Sequence, residues 1–270
     1  MAKWVKNARH DLRMYWLSWR THFLGATKLR ASFVLQIIGM MVNNLGLLAA
    51  WLFLFGTFGT INGWSGLDYM GMQGVAMFVF GVLMVFAYGL TELPRYVDQG
   101  SFDTFLTKPA SVLSQVASSM IEVSTIGDII LGAILLGIYM VVAQVSLAAM
   151  GMFIIALAIA IVLLFCFTLL PYLLAFYMFD SDKVARSIGM LFVDMGVYPT
   201  GVISGGLRTV LLTAFPGLFA FVIPLNVLRG LEWEYLLLGA VVAAFWLVVT
   251  LWLFRKSLRR YESANLIGAR

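Results

Sequence analysis

Residues 148–179 run for 32 positions without one Asp, Glu, Lys or Arg. As a helix this run would be about 48 Å long at about 1.5 Å per residue, longer than a hydrocarbon core of about 30 Å. Hiding it inside a soluble domain would take a polar shell, and the composition supplies none. Hydrophobic residues make up 62% and charged residues 11%, against about 45–50% and about 25% in an average soluble domain. The chain is therefore not a soluble enzyme, a disordered protein or a secreted disulfide scaffold. It reads as an all-α, polytopic membrane protein. The long run is expected to kink at Pro171 and to extend past the membrane on the cytoplasmic side.

Other apolar stretches lie at 31–58, 70–91 and 119–144, from Val184 onward, and at 234–254. Together they predict six transmembrane helices. The stretch 198–224 is interrupted by Pro199, Gly201, Gly205, Gly206, Pro216, Gly217 and Pro224. Helix breakers in apolar sequence are tolerated where the backbone lies against protein or a cavity. Residues of about 200–224 are thus expected to form one or two short re-entrant helices dipping in from the outer face. The plain alternative is one long Pro-kinked fifth helix and then a loop. Glycines at 71, 74, 127 and 132 would let helix backbones approach closely.

Basic residues set the orientation. Seven Lys/Arg fall in 1–30, two in 92–118, two in 180–187 and five in 255–270, so sixteen of eighteen share one side. Only Arg208 and Arg229 fall on the other. The chain is expected in the cell inner (plasma) membrane, with both termini cytoplasmic. Residues 1–30 do not read as a cleavable signal, because the charged stretch and the apolar run behind it are both too long. Trp16, Trp19 and Phe23 recur at helical spacing. They predict an amphipathic helix in the headgroup region, with Lys and Arg reaching lipid phosphates. The organisation is then a cytoplasmic N-terminal helix (1–30), a six-helix transmembrane domain (31–254) and a basic cytoplasmic tail (255–270).

Catalytic chemistry has little to build on. Cys166 is alone, and the two histidines, His10 and His22, precede the first apolar stretch. No metal site and no catalytic constellation can be assembled from these. No GxxxxGK[ST] loop occurs, so the chain carries no P-loop ATPase of its own. No cofactor and no nucleic-acid partner are expected. Ionisable residues at membrane depth are costly and mark function or local pairing. Asp128 and Asp194 fit either role, and Tyr198 shares a helical face with Asp194. Asn43 and Asn44 can hydrogen-bond across helices or line a cavity. These five form the candidate substrate path.

The loop 92–114 is the most informative polar segment. Gly100 followed by Ser101 and Asp103 can start a short helix. Phe102, Phe105 and Leu106 would share one apolar face, and Pro109 would end it. Such a helix suits docking to a soluble partner or resting on the membrane surface, and the residues alone leave both open.

The run Gly100-Ser-Phe-Asp-Thr-Phe-Leu-Thr-Lys-Pro109 behind Arg95 resembles a segment of the ABC-2 type transporter permeases, specifically their six-span subfamily. Tyr198-Pro199 leading to Leu207-Arg208 and Leu211, then Pro216 and Pro224, is similar to that subfamily too, as is Arg260-Tyr261-Glu-Ser-Ala264. The resemblance covers nearly the whole chain. It implies a permease subunit of an ATP-driven exporter of drugs, lipids or glycans. Two permeases, identical or paralogous, would form the path, and separate ATP-binding subunits would bind ATP and Mg. Arg95, Gly100, Ser101, Phe102, Asp103, Phe105, Leu106, Lys108 and Pro109 would make the coupling contact with the ATPase. An ion-coupled secondary transporter and a non-transporting membrane scaffold are the alternatives. The first would normally show internal repeats, and none is evident.

Overall fold

The helices differ widely in how much of their apolar surface the protein itself covers. The computed structural model describes residues 8–61, 63–196, 206, 209–210, 215–230 and 233–261. Among these the secondary structure is helical, and only Ile61 and Trp64 pair as an isolated bridge. The helices are α1 (Ala8–Thr27), α2 (Arg30–Phe58), α3 (Gly66–Ala87), α4 (Leu93–Asp98), α5 (Asp103–Leu106), α6 (Val112–Ala117), α7 (Ile126–Val142), α8 (Leu147–Tyr172), α9 (Asp182–Gly196), α10 (Gly217–Leu228) and α11 (Tyr235–Leu258).

Among the described residues, four helical segments are long and apolar enough to cross a membrane: α2, the path Gly66–Asp98, Leu147–Phe176 and α11. The chain is an integral membrane protein. Helix α7 is shorter, 17 residues or about 25 Å. Burial separates centre from periphery. Within its most apolar window, α3 is 67% buried and α2 only 6%. Exposed apolar side chains run along one face of α11, at Leu237, Val241, Phe245, Val248 and Trp252. In water such a stripe would be a liability; in lipid it is the solvent-facing surface.

Helix α3 starts at a capping box. Ser65 accepts from the Asp68 backbone N–H, and Asp68 accepts from the Ser65 N–H, so two free donors at the helix start are satisfied. Its close partner is α7, across the glycine seam. A Cβ on Gly132 would sit 2.8 Å from the Gly74 carbonyl oxygen, and one on Gly127 would sit 2.5 Å from the Ile37 carbonyl oxygen of α2. Without hydrophobic drive between helices in lipid, such small-residue contacts carry the association. The paired glycines at 74 and 132 thus meet each other, while Gly127 receives α2.

The boundaries differ from the sequence-based expectation at two places. The second span does not leave the bundle at 91. It tightens into a 3₁₀ turn, Tyr88–Glu92, and continues as α4, with Pro94 in its first turn. The third span begins at Ile126 rather than 119. The residues before it are Ser- and Thr-rich and turn their side chains back on the backbone: Ser119 Oγ donates to the Val116 carbonyl at 2.7 Å and Thr125 Oγ1 to the Glu122 carbonyl at 2.8 Å. Such local bonds compete with helix. The long fourth run is α-helical to Tyr172, one residue past Pro171, and tightens into a 3₁₀ turn at Leu173–Phe176.

Of the interrupted stretch 200–224, residues 200–205, 207–208 and 211–214 lie outside the described residues, and Arg208 is among them. The stretch ends in α10, which is almost wholly apolar. Phe219, Ala220, Phe221, Val222, Leu225 and Val227 are buried, against α8, α3 and α9.

Candidate functional site

The loop between α3 and α6 folds on itself before it offers anything to a partner. Gly100 takes a positive φ of 68°, which glycine adopts at no steric cost, and this turns the chain back after α4. The Phe102 N–H then donates to the Tyr96 carbonyl at 3.0 Å. Ser101 Oγ donates to the same carbonyl at 3.3 Å. Helix α5 is one turn, Asp103–Leu106.

Phe102 is fully buried, with ring centroids 5.9 Å from Phe105, 5.3 Å from Phe176 and 4.8 Å from Tyr261. Phe105 is buried as well and meets Tyr96 edge-on at 5.2 Å. The predicted apolar face therefore splits in two. Phe102 and Phe105 face the protein, where edge-to-face ring contacts hold them. Leu106 stays 46% exposed, beside exposed Thr107, Lys108 and Pro109. Lys108 Nζ sits 5.8 Å from the Phe105 ring centroid. Arg95 is exposed on α4 and pairs with Glu92 at 3.4 Å.

Helix α6 holds this loop from behind. Its Gln115 Nε2 donates to the Phe105 carbonyl at 3.1 Å and to the Ala110 carbonyl at 2.8 Å. Gly89 lets α6 come this close to the bundle, because a Cβ there would meet the Val116 carbonyl oxygen at 1.9 Å. Burial and the Asp103 carboxylate beside it push the Tyr261 hydroxyl up to about 12. Asp98 accepts a hydrogen bond from the Asp180 backbone, so α4 faces the turn between α8 and α9.

Helix α1 straps the same end together. Trp19 Nε1 donates to the Val85 carbonyl at 2.9 Å, and the Tyr15 hydroxyl donates to the Phe86 carbonyl. Both carbonyls lie in the last turn of α3, where the change to 3₁₀ leaves acceptors unpaired. Burial pushes the Tyr15 hydroxyl up to about 12. Ser18 Oγ donates to the Ser118 carbonyl at 3.1 Å, past the end of α6. The Ser111 N–H, at its start, donates to Asp11 at 3.2 Å. Trp19 also stacks on Phe86 at 5.2 Å. The aromatic stripe expected to face lipid is thus partly spent on the bundle.

Of the candidate path residues, the structure joins two. Asn44 Nδ2, on α2, donates to Asp128 Oδ1 on α7. Asp128 is buried, and its Oδ2 has no hydrogen-bond partner among the described residues. Asn43 faces outward on α2, and Asp194 lies exposed near the end of α9. Tyr198 is outside the described residues. A cavity of about 300 Å³ opens nearby between α2, α3, α8 and α9. Its walls include Met40, Met84, Tyr88, Glu122, Tyr172 and Arg186, so it takes polar groups from the loop end and apolar groups from deeper helices.

At the far end lies a second polar cluster that the sequence did not single out. Arg229 Nε pairs with Asp68 at 3.3 Å, and its guanidinium sits 5.0 Å from the Trp64 ring centroid. A further Arg229 nitrogen donates to the Gly63 carbonyl at 3.1 Å, and the Tyr139 hydroxyl donates to Asp68 at 3.4 Å. The ion pair ties the start of α3 to the end of α10, and the Tyr139 hydroxyl adds the end of α7. The Ser65-x-x-Asp68 box before an apolar run was the visible signal.

The described residues thus form a helical membrane bundle with a self-supporting polar loop at its basic end. The profile of the family described as ABC-2 family transporter protein matches residues 41–265. The chain belongs to that family. Comparison with curated proteins and with solved structures finds no match.

Proposed function

We propose that this chain is the permease subunit of an ATP-driven exporter. Its path would serve a hydrophobic or amphipathic substrate, and a separate subunit would bind ATP and Mg and hydrolyse the nucleotide. Family membership and an ABC-type membrane domain are the ground for this reading. The single observation that carries it further is the construction of the loop 92–114. Phe102 and Phe105 anchor it inward, Gln115 braces it, and Leu106, Thr107, Lys108 and Pro109 remain presented outward. A contact that must pass force has to be rigid behind and accessible in front.

On this reading the basic end is cytoplasmic, as the positive-inside distribution favours. Six spans would comprise α2, α3, α7, α8, α9 and α11, with α10 belonging to an outer re-entrant element. Two permeases would rock against each other when the ATPase subunits close. Substrate would then pass near Asn43, Asn44, Asp128, Asp194 and Tyr198. The permease itself makes and breaks no covalent bond.

The test is co-purification followed by reconstitution. An ATPase subunit should accompany the chain, and a panel of amphipathic compounds should raise ATP turnover in proteoliposomes and move outward. Transport sustained by a proton gradient, with no ATPase partner, would overturn the reading.

A further inference from the structure

A groove of about 570 Å³ opens between α6 and the last two turns of α11. It lies within the size range of small-molecule sites, about 300–1,000 Å³. One wall is apolar, from Leu113, Leu251 and Phe254, and its rim carries Ser111, Arg255 and Arg259. Arg255 and Arg259 are four apart, so they share a helix face. The four basic residues of this turn divide cleanly. Lys256 Nζ sits 5.2 Å from the Trp252 ring centroid, and the Arg260 guanidinium sits 5.0 Å from that of Tyr177. Those two are spent on aromatic faces outside the groove. Arg255 and Arg259 line it, and no carboxylate does among the described residues. At the rim, Asp11 of α1 accepts the Ser111 N–H, one carboxylate against the two guanidinium groups.

Depth fixes the kind of occupant. Trp252 is exposed at the end of the lipid-facing stripe of α11, where an amphipathic ring marks the membrane–water boundary. Arg255 lies about 4.5 Å further along the axis and Arg259 about 10 Å. Both therefore sit at headgroup level, with Leu251 level with Trp252 and Phe254 between that boundary and Arg255. Cations in the last turn also complement the helix dipole, but a dipole needs no groove and no apolar wall.

We propose that this groove is a binding site for an anionic phospholipid. Its phosphate sits between Arg255 and Arg259, and its acyl chains lie along Leu251 and Phe254. A lipid seated there bridges α11 to α6. Since α6 holds the docking loop through Gln115, the lipid braces that loop. The site stands independently of what the protein transports.

The full chain, purified in mild detergent, is titrated with mixed micelles containing dioleoylphosphatidylglycerol or dioleoylphosphatidylcholine. Bound lipid and thermal unfolding are both followed. The phosphatidylglycerol should be retained and raise the unfolding temperature; the zwitterionic lipid should do neither. R255Q/R259Q should weaken retention about thirtyfold, the equivalent of about 2 kcal/mol for two surface cations. K256Q, one position away but outside the groove, should not. Val112→Trp, which projects an indole into the groove without changing charge, should weaken lipid retention as well. Equal binding of both lipids, or full retention by R255Q/R259Q, overturns the proposal. So does full displacement by soluble glycerol phosphate, which would make this a free-phosphate site. Loss of a co-purifying ATPase subunit from R255Q/R259Q with lipid retention unchanged would make the groove a protein seat, and overturns it too.

Discussion

The two ends of the bundle are held by different physics. At the basic end, Phe102 sits among Phe105, Phe176 and Tyr261, and α1 satisfies the carbonyls that α3 leaves open. At the far end, one ion pair, Asp68–Arg229, joins α3 to α10, and the Tyr139 hydroxyl brings in α7. Ring packing has no alternative arrangement of equal energy, since a displaced ring leaves a void. An ion pair whose side chains keep 15% and 21% exposure can exchange its partner for water. The basic end is therefore suited to carry a displacement without deforming, and the far end to open.

The sharpest way to break this contrast is Phe102→Ala. Truncating a buried Phe costs about 3–5 kcal/mol, and here the void lies beneath the loop that faces outward. The expected outcome is a large drop in unfolding temperature, together with loss of any ATPase partner. Near-normal stability would mean that the aromatic cluster is not what fixes the loop.

A smaller effect is expected at the far end. Arg229→Gln leaves Asp68 with one charged partner fewer, and truncating one side of a partly buried pair costs about 1–3 kcal/mol. A double-mutant cycle with Asp68→Asn should give a coupling of about 1 kcal/mol. The comparison predicts more than a stability change. With the latch open, basal ATP turnover of the complex should rise while coupling to substrate falls. If both stay at wild-type values, the pair only staples α10 in place.

Trp19→Phe ranks next. It keeps the ring that stacks on Phe86 but removes the N–H that reaches the Val85 carbonyl. The cost should be about 1 kcal/mol, readable by thermal shift. An unchanged unfolding temperature would show that water replaces the indole there and that α1 is held by stacking alone.

These contrasts also explain what the sequence made legible. Apolar runs announced the helices because lipid imposes one answer on an uncharged stretch of about 20 residues. The glycines at 71, 74, 127 and 132 pointed to close approach of helix backbones, but that 74 meets 132 and 127 meets α2 is visible only in the fold. The loop was visible as a loop, but which face of α5 points outward was not. Phe102 finds partners at Phe176 and Tyr261, far along the chain, and helical spacing carries no knowledge of such distant rings. Arg229 read as one of two stray outer cations because its partner, Asp68, also lies far away in sequence. Likewise Asn44 and Asn43 are neighbours in the sequence, yet only Asn44 turns toward Asp128.

The smallest expected change in stability is the most telling for function. Phe105→Asp is a poor probe of docking, because it places a carboxylate in a buried aromatic site, where loss of a partner and misfolding look alike. Leu106→Asp avoids this. Leu106 is exposed, and surface substitutions of this kind stay within about 0.5 kcal/mol. The loop beneath it, held by Phe102, Gln115 and the Gly100 turn, should not move. If the outward face of α5 is where an ATPase subunit seats, Leu106→Asp should insert and unfold like the wild type yet lose its partner on purification. Retention of the partner would move the contact elsewhere on the basic end, and the stiffness of the loop would then need another purpose.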